Sequence, residues 1–303
     1  MVDKTESDSA GGFSPTWLTL REPADHAARS GRLTRKLADW AREQSALHIL
    51  EMGCGTGSNF RYLCPHLGHD QEWTLLDYDP VLLAQLPLSI RQWAEDEGVD
   101  IDTTDELVTV AGKDFSARVR WQQADLANEL STLPFAKTKL VTGSALLDLT
   151  SQGWLEQLAE LCIAHQCACL FVLNYDGRIQ WQPQRQFDTQ TTALLNSHQL
   201  GDKGFGPAMG PLAGHTLAQA LGSRQQCSVE PSDWQIRPEQ QALQQALLDG
   251  WRTACEELAP ESADELERWH DERQHLISSR QSSLSVGHTD VLSLPVSGQT
   301  TTS

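Results

Sequence analysis

Basic residues are scarce in this 303-residue chain: 23 Lys and Arg stand against 41 Asp and Glu, a formal net charge of −18. A field of that sign repels phosphate backbones, so a nucleic-acid partner would need a dense local cationic patch. The most basic stretch, residues 29–42, is interrupted by Asp39, and no nucleic-acid partner is expected. Long apolar runs are missing too. No segment approaches the roughly twenty apolar residues of a membrane span, and residues 1–12 are polar and acidic, without the apolar centre of a secretory signal. Cysteine lacks organisation rather than numbers. Its seven copies are an odd count without a disulfide framework, which suits a reducing compartment and predicts a cytoplasmic location. Cys162, His165, Cys167 and Cys169 crowd together, but their spacing matches no zinc pattern. Cys162 and Cys169 fall on apolar faces, where free cysteine packs as a small hydrophobe, and no metal is expected.

What is present is enough for one large domain: 39% of residues are hydrophobic and 21% charged. Residues 1–12 and 297–303 read as polar tails and residues 13–296 as a single domain. Residues 17–45 read as a helical cap, with Leu33, Leu37 and Trp40 at helical spacing and Gly31 as a break. Short apolar runs then alternate with helical patterns: strands at 47–50, 73–77, 117–121, 139–146 and 168–173 make up a core at 46–176. That alternation predicts an α/β fold, a doubly wound and mostly parallel sheet with helices on both faces. Residues 94–106 read as an acidic, exposed insertion, followed by an extra strand at 107–110. Beyond Asp176 regularity is lost, and a Gln-, Gly- and Thr-rich stretch through 210 reads as a long loop, the lid of a site. Residues 177–225 therefore hold lid and helix, and 226–296 hold the last strands, split by one or two polar helices at 239–280.

The most informative segment is Glu51-Met52-Gly53-Cys54-Gly55-Thr56-Gly57. A strand that ends in a glycine turn and then a helix aims backbone N–H groups at a ligand, and glycine allows the chain to bend tightly there. A dinucleotide fingerprint wants a third small residue five positions after the first glycine; this chain has Ser58 there, and its glycines alternate. A carboxylate at Glu51 would also repel a pyrophosphate, whereas it suits a ligand carrying an ammonium or sulfonium group.

With these residues the chain resembles the class I S-adenosylmethionine-dependent methyltransferases. The resemblance covers about residues 45–176 and the closing strand. It implies a Rossmann-like sheet of seven strands, methyl transfer to an O, N or C atom, and S-adenosyl-L-methionine as the donor. Residues 51–57 match that family's first motif, which implies a cradle for the methionine part made by Glu51, Gly53, Cys54, Gly55 and Gly57. Asp77, twenty residues past Gly57, stands where the family has the acid that binds both ribose hydroxyls, with Tyr78 beside it. Asp125 and Leu126 stand where the adenine is held, and the strand through Ser144 stands between donor and acceptor. In many relatives an N-terminal helix supplies a cation to the donor's carboxylate; Arg21 or Arg29 fills that description. Two departures are apparent: about forty-five helical residues between the last two strands, and the acidic insertion before Asp125.

For the acceptor the signals are weaker. Asp148 after the fourth strand, and Asn174, Tyr175 and Asp176 after the fifth, lie at carboxyl strand ends, where open parallel sheets bind ligands. Asn196, His198, Asp202 and Lys203 lie in the lid, and Asp148 and His198 are the candidates for a proton acceptor. His288 reads as a packed histidine, and of the ten tryptophans one or two are expected to line an acceptor pocket. The long lid and the negative charge together favour a small-molecule acceptor. Two other readings stay open: a nicotinamide-dependent oxidoreductase on a related sheet, and a non-catalytic protein that binds S-adenosylmethionine.

Overall fold

The structure is a computed structural model that describes residues 13–296 with the exception of Asp105; the two expected tails lie outside the described residues. Two helices come first, α1 (Pro15–Ala28) and α2 (Gly31–Ala41). Their break falls at Arg29 and Ser30, because the Ser30 hydroxyl accepts from Leu33 N–H and caps α2 one residue before Gly31. Next come β1 (Leu47–Met52), α3 (Ser58–Leu67), β2 (His69–Asp77) and α4 (Pro80–Glu97). Asp79 caps α4 through Val81 N–H, with Pro80 at the first helical position. The stretch read as an exposed insertion holds the end of α4 and a strand. After Gly98 the chain forms β3 (Asp100–Thr103), which pairs antiparallel with β4 (Val108–Ala111), and β4 pairs with β5 (Phe115–Gln123).

After the single turn α5 (Leu126–Glu129) come β6 (Leu140–Ser144), α6 (Gln152–Ala164) and β7 (Ala168–Gln182). The region read as a featureless lid contains the outer half of β7 and the helix α7 (Asp188–Gln199). The remaining elements are α8 (Ala213–Gly222), β8 (Gln226–Pro231), β9 (Trp234–Ile236), α9 (Gln241–Leu258), α10 (Ala263–Ser278) and β10 (Ser283–Leu294).

The ten strands among the described residues join one sheet, ordered β3-β4-β5-β2-β1-β6-β7-β10-β8 with β9 also on β10. Five neighbours, β5-β2-β1-β6-β7, run parallel. β10 lies antiparallel between β7 and β8, so β8 and β10 pair despite the two helices that separate them in sequence. The seven strands from β5 to β8 are the expected sheet; β3, β4 and β9 are additions to it.

The apolar runs make sense in this setting. A parallel strand covered on both faces has no reason to alternate polar and apolar residues. In β1, Leu47 and Ile49 enter the cluster under α2, α3 and α4, while Leu50 and Met52 enter the cluster under α6 and α8. In β7, Leu170 and Val172 face the first cluster and Cys169 and Phe171 the second. Each fully buried Leu or Phe contributes roughly 1.5–3 kcal/mol. Cys162 and Cys167, like Cys169, are buried. Polar α10 docks on α7 through a buried ion pair: Arg273, with no exposed surface, meets Asp188 at the start of α7, and Trp269 Nε1 donates to the same carboxylate.

Candidate functional site

β1 and β2 end side by side, and the chain bends sharply after Met52. Gly53, Gly55 and Gly57 all take positive φ, at 64°, 54° and 83°, a conformation that disfavours any residue with a Cβ. The turn is tied to its neighbours. Cys54 N–H donates to Leu76 O at 2.9 Å, and Gly55 N–H donates to Asp77 Oδ2 at 2.7 Å. The other oxygen of Asp77 accepts from Asp79 N–H at 3.0 Å. A carboxylate oxygen can accept two hydrogen bonds, so both retain capacity. Burial pushes the Asp77 carboxyl above its usual value, opposed by these backbone donors. β5 ends on the same side, where Ala124 N–H donates to Asp77 O. Asp125 then caps α5, accepting from Ala127 N–H and from Asn128 Nδ2, while Leu126 is buried and its carbonyl accepts from Trp154 Nε1. Tyr78 next to Asp77 is 70% exposed.

Glu51 is 1% exposed, and its Oε2 has no hydrogen-bond partner. Burial raises its pKa to about 8, against the pull of the Arg29 and Arg61 charges. Behind it runs a buried polar chain: Arg29 Nη1 donates to Asn59 Oδ1, Asn59 Nδ2 to Thr142 Oγ1, and Thr142 Oγ1 to Leu170 O. Arg29 sits over the Tyr62 ring and leaves Nε and Nη2 unpartnered. Arg21 is differently placed. Its Nε and Nη2 hold Asp25 at 2.9 and 3.2 Å, and its guanidinium lies over the Trp234 ring.

α1 covers the turn. Glu22 pairs with Arg61 of α3, the His26 ring bonds Ser58, and Leu18 lies so close to Gly55 that a Cβ there would approach its Cδ1 to 2.9 Å. On its other side, α1 walls a cavity of about 350 Å³ whose lining includes Trp17, Arg21, Asp148, Tyr175, Trp234 and His288. Ala145, just after β6, and Leu173, within β7, also line it, and both hold positive φ, 51° and 55°. Such strain in residues with a Cβ clusters at functional positions. Ser144 ends β6 next to Ala145 and is half-buried. Asp148 is 8% exposed, with Oδ1 unpartnered, and burial raises it to about 6.

Several expected acceptor residues are engaged elsewhere. His198 is absent from the cavity lining, and its Nε2 bonds Glu257 of α9 at 3.0 Å. Asp202 closes its own loop by accepting from Gly204 and Gly206 N–H. Asp176 pairs with Arg178, and Asn174 bridges to Thr289 O. Asn196 reaches the site only by accepting from Tyr175 Oη–H. His288, read from the sequence as a packed histidine, is buried and also lines this cavity, and the tryptophans in its wall are Trp17, Trp234 and Trp251, which are too widely separated along the chain to be picked out individually from the sequence. A larger polar hollow of about 460 Å³, lined by Arg178, Asp233 and Arg237 among others, lies on the outer extension of β7 and β10 and includes none of the motif residues.

No family model matches the sequence, and no curated protein matches it. Solved structures do. A cyclopropane-fatty-acyl-phospholipid synthase-like protein from Lactobacillus casei superposes with a TM-score of 0.50 at 15% identity, over 94% of this chain and 96% of that one. The chain has the class I methyltransferase fold. A SAM-dependent methyltransferase from Geobacter sulfurreducens, solved with S-adenosyl-L-homocysteine, matches at 14% identity over 93% of this chain and 99% of that one, with a TM-score of 0.42. Within this methyltransferase fold the glycine turn, Asp77 and Asp125 occupy neighbouring carboxyl strand ends of β1, β2 and β5. No helix among the described residues is long and apolar enough to cross a membrane.

Proposed function

We propose that this chain binds S-adenosylmethionine at the turn after β1 and methylates a small molecule held in the cavity beyond β6. The observation that carries the proposal is the bond from Gly55 N–H to Asp77 Oδ2: it joins the glycine turn to a carboxylate that keeps lone pairs for two hydroxyl donors. The unpartnered, buried Oε2 of Glu51 fits the same ligand, because an orphaned buried acceptor is costly until a donor meets it.

In this reading Glu51 and residues 53–57 hold the amino-acid end, Asp77 the ribose with Tyr78 flanking it, and Asp125 with Leu126 the adenine. Of the two candidate arginines, Arg29 is the one with donors to spare for a carboxylate; Arg21 is committed to Asp25. Bound there, S-adenosylmethionine supplies a methyl group already activated by positive sulfur, so the chain contributes mainly proximity and alignment. Ser144 and Ala145 stand between the two compartments, α1 covers both, and Asp148 is the acceptor-side group able to take up a proton.

The test is calorimetry on the full chain. Heat with S-adenosylhomocysteine and none with NAD is expected, and Asp77→Ala should weaken the first by about 1–3 kcal/mol. Binding of NAD alone, or unchanged affinity in folded Asp77→Ala, overturns the assignment.

A further inference from the structure

We infer that the cavity beside α1 selects a compact molecule with a flat apolar body and a hydroxyl or amine donor at one end, and that it discriminates against carboxylates. The inference rests on the proposed methyl transfer only for calling this molecule the acceptor; the selectivity follows from the walls.

The body is set by the aromatic surfaces. Trp17, Trp234 and Trp251 line a cavity of about 350 Å³ together with aliphatic side chains such as Leu195 and Leu247. That volume is near the lower end for small-molecule sites, which favours a molecule of one or two rings.

The polar end is set by what the lining polar groups still have to offer. Asp148 Oδ1 is buried, unpartnered and an acceptor. His288 is 5% exposed, and its Nδ1 lies 3.0 Å from Val286 O. A carbonyl only accepts, so Nδ1 carries the proton and Nε2 presents a lone pair. Burial, reinforced by the Arg21 charge, holds the imidazole neutral. Tyr175 has already donated its hydroxyl proton to Asn196. Gln199 carries both a donor and an acceptor and does not discriminate.

Among the described residues one cation, Arg21, lines the cavity, and it is already balanced. Asp25 meets its Nε and Nη2, and that carboxylate is fixed in turn by Trp234 Nε1 at 3.0 Å. An incoming carboxylate would therefore meet Asp148 and the His288 lone pair without an uncompensated positive charge. An O–H or N–H donor would satisfy the orphaned Asp148 oxygen.

Three naphthalene probes of one size separate the cases: 2-naphthol, 2-naphthylmethylamine and 2-naphthoate. Each is titrated into the full chain with tryptophan fluorescence as the readout, with and without S-adenosylhomocysteine. The naphthol and the amine should bind roughly tenfold or more tightly than the naphthoate, and Asp148→Asn should reduce that preference by about tenfold. Leu195→Trp, which fills the cavity, should abolish binding of both donors. Equal or stronger binding of the naphthoate overturns the inference, as does failure of all three probes or donor binding that neither variant alters. Binding of S-adenosylhomocysteine is scored separately. Its presence without probe selectivity sinks only this inference, and its absence with selectivity intact sinks only the methyl-donor reading.

Discussion

Replacing Glu51 with glutamine should make the protein more stable at high pH and, on the proposed function, weaken binding of S-adenosylhomocysteine. Glu51 is buried, its pKa is raised from 4.5 to about 8, and burial is the main cause. The folded chain therefore binds this proton more tightly than the unfolded chain does. The sign follows: the stabilisation is fully present below 4.5 and is lost as pH rises through about 8. A shift of that size corresponds to as much as about 5 kcal/mol, since one unit is worth about 1.4 kcal/mol. Glutamine has nearly the same shape and no charge to bury. Urea unfolding at pH 5, 7 and 9 would compare the two proteins. The other titrating groups are common to both, so their contribution cancels in the difference. At pH 5 the two should be nearly equal, and at pH 9 Glu51→Gln should be the more stable by several kcal/mol. S-adenosylhomocysteine should nonetheless bind the variant more weakly, the usual opposition between stability and function at a site. A stability difference that stays constant across the three pH values would refute the reasoning.

Two further substitutions test the frame around the site. Gly55→Ala combines a positive φ of 54° with a Cβ only 2.9 Å from Leu18 Cδ1, and should cost about 1–3 kcal/mol in thermal or chemical unfolding; adding Leu18→Ala should restore the steric part and leave the backbone part. Asp188→Asn strands the Arg273 guanidinium, which has no exposed surface, and should cost about 3–5 kcal/mol by urea unfolding, whereas a loss under 1 kcal/mol would mean that the pair is dispensable.

The strand ends proposed as the donor side were legible in residue order as elements that the structure brings together. These elements are local: an apolar strand, an alternating glycine turn, and an acid closing the next strand. Period and composition reveal each of these without knowledge of the partner. Strands covered on both faces, such as β1 and β7, announce themselves as apolar runs. The outer half of β7 did not, because Asp176, Arg178, Gln180 and Gln182 alternate polar residues beyond the covered part of the sheet. α7 was hidden for a similar reason. Its sequence is rich in Thr and Gln and has no side-chain cap, so docking against β7 and α9 stabilises it. β3 was concealed by acidic residues that read as solvent-exposed chain. The choice between Arg21 and Arg29 depends on Asp25 and Trp234, and Trp234 lies more than two hundred residues away. The same distance obscured the cavity beside α1, which gathers α1, the turn after β6, β7, α7, β9, α9 and β10.

α1 presses Leu18 onto the glycine turn while Trp17 and Arg21 face the cavity. A roof shared by two rooms cannot be raised over one alone. A tilt of this helix large enough to open one side would unseal the other, so exchange at the turn and exchange at the cavity would be mechanically coupled. The bonds from Glu22 to Arg61 and from His26 to Ser58 hold the helix against α3, and such a tilt would have to break them.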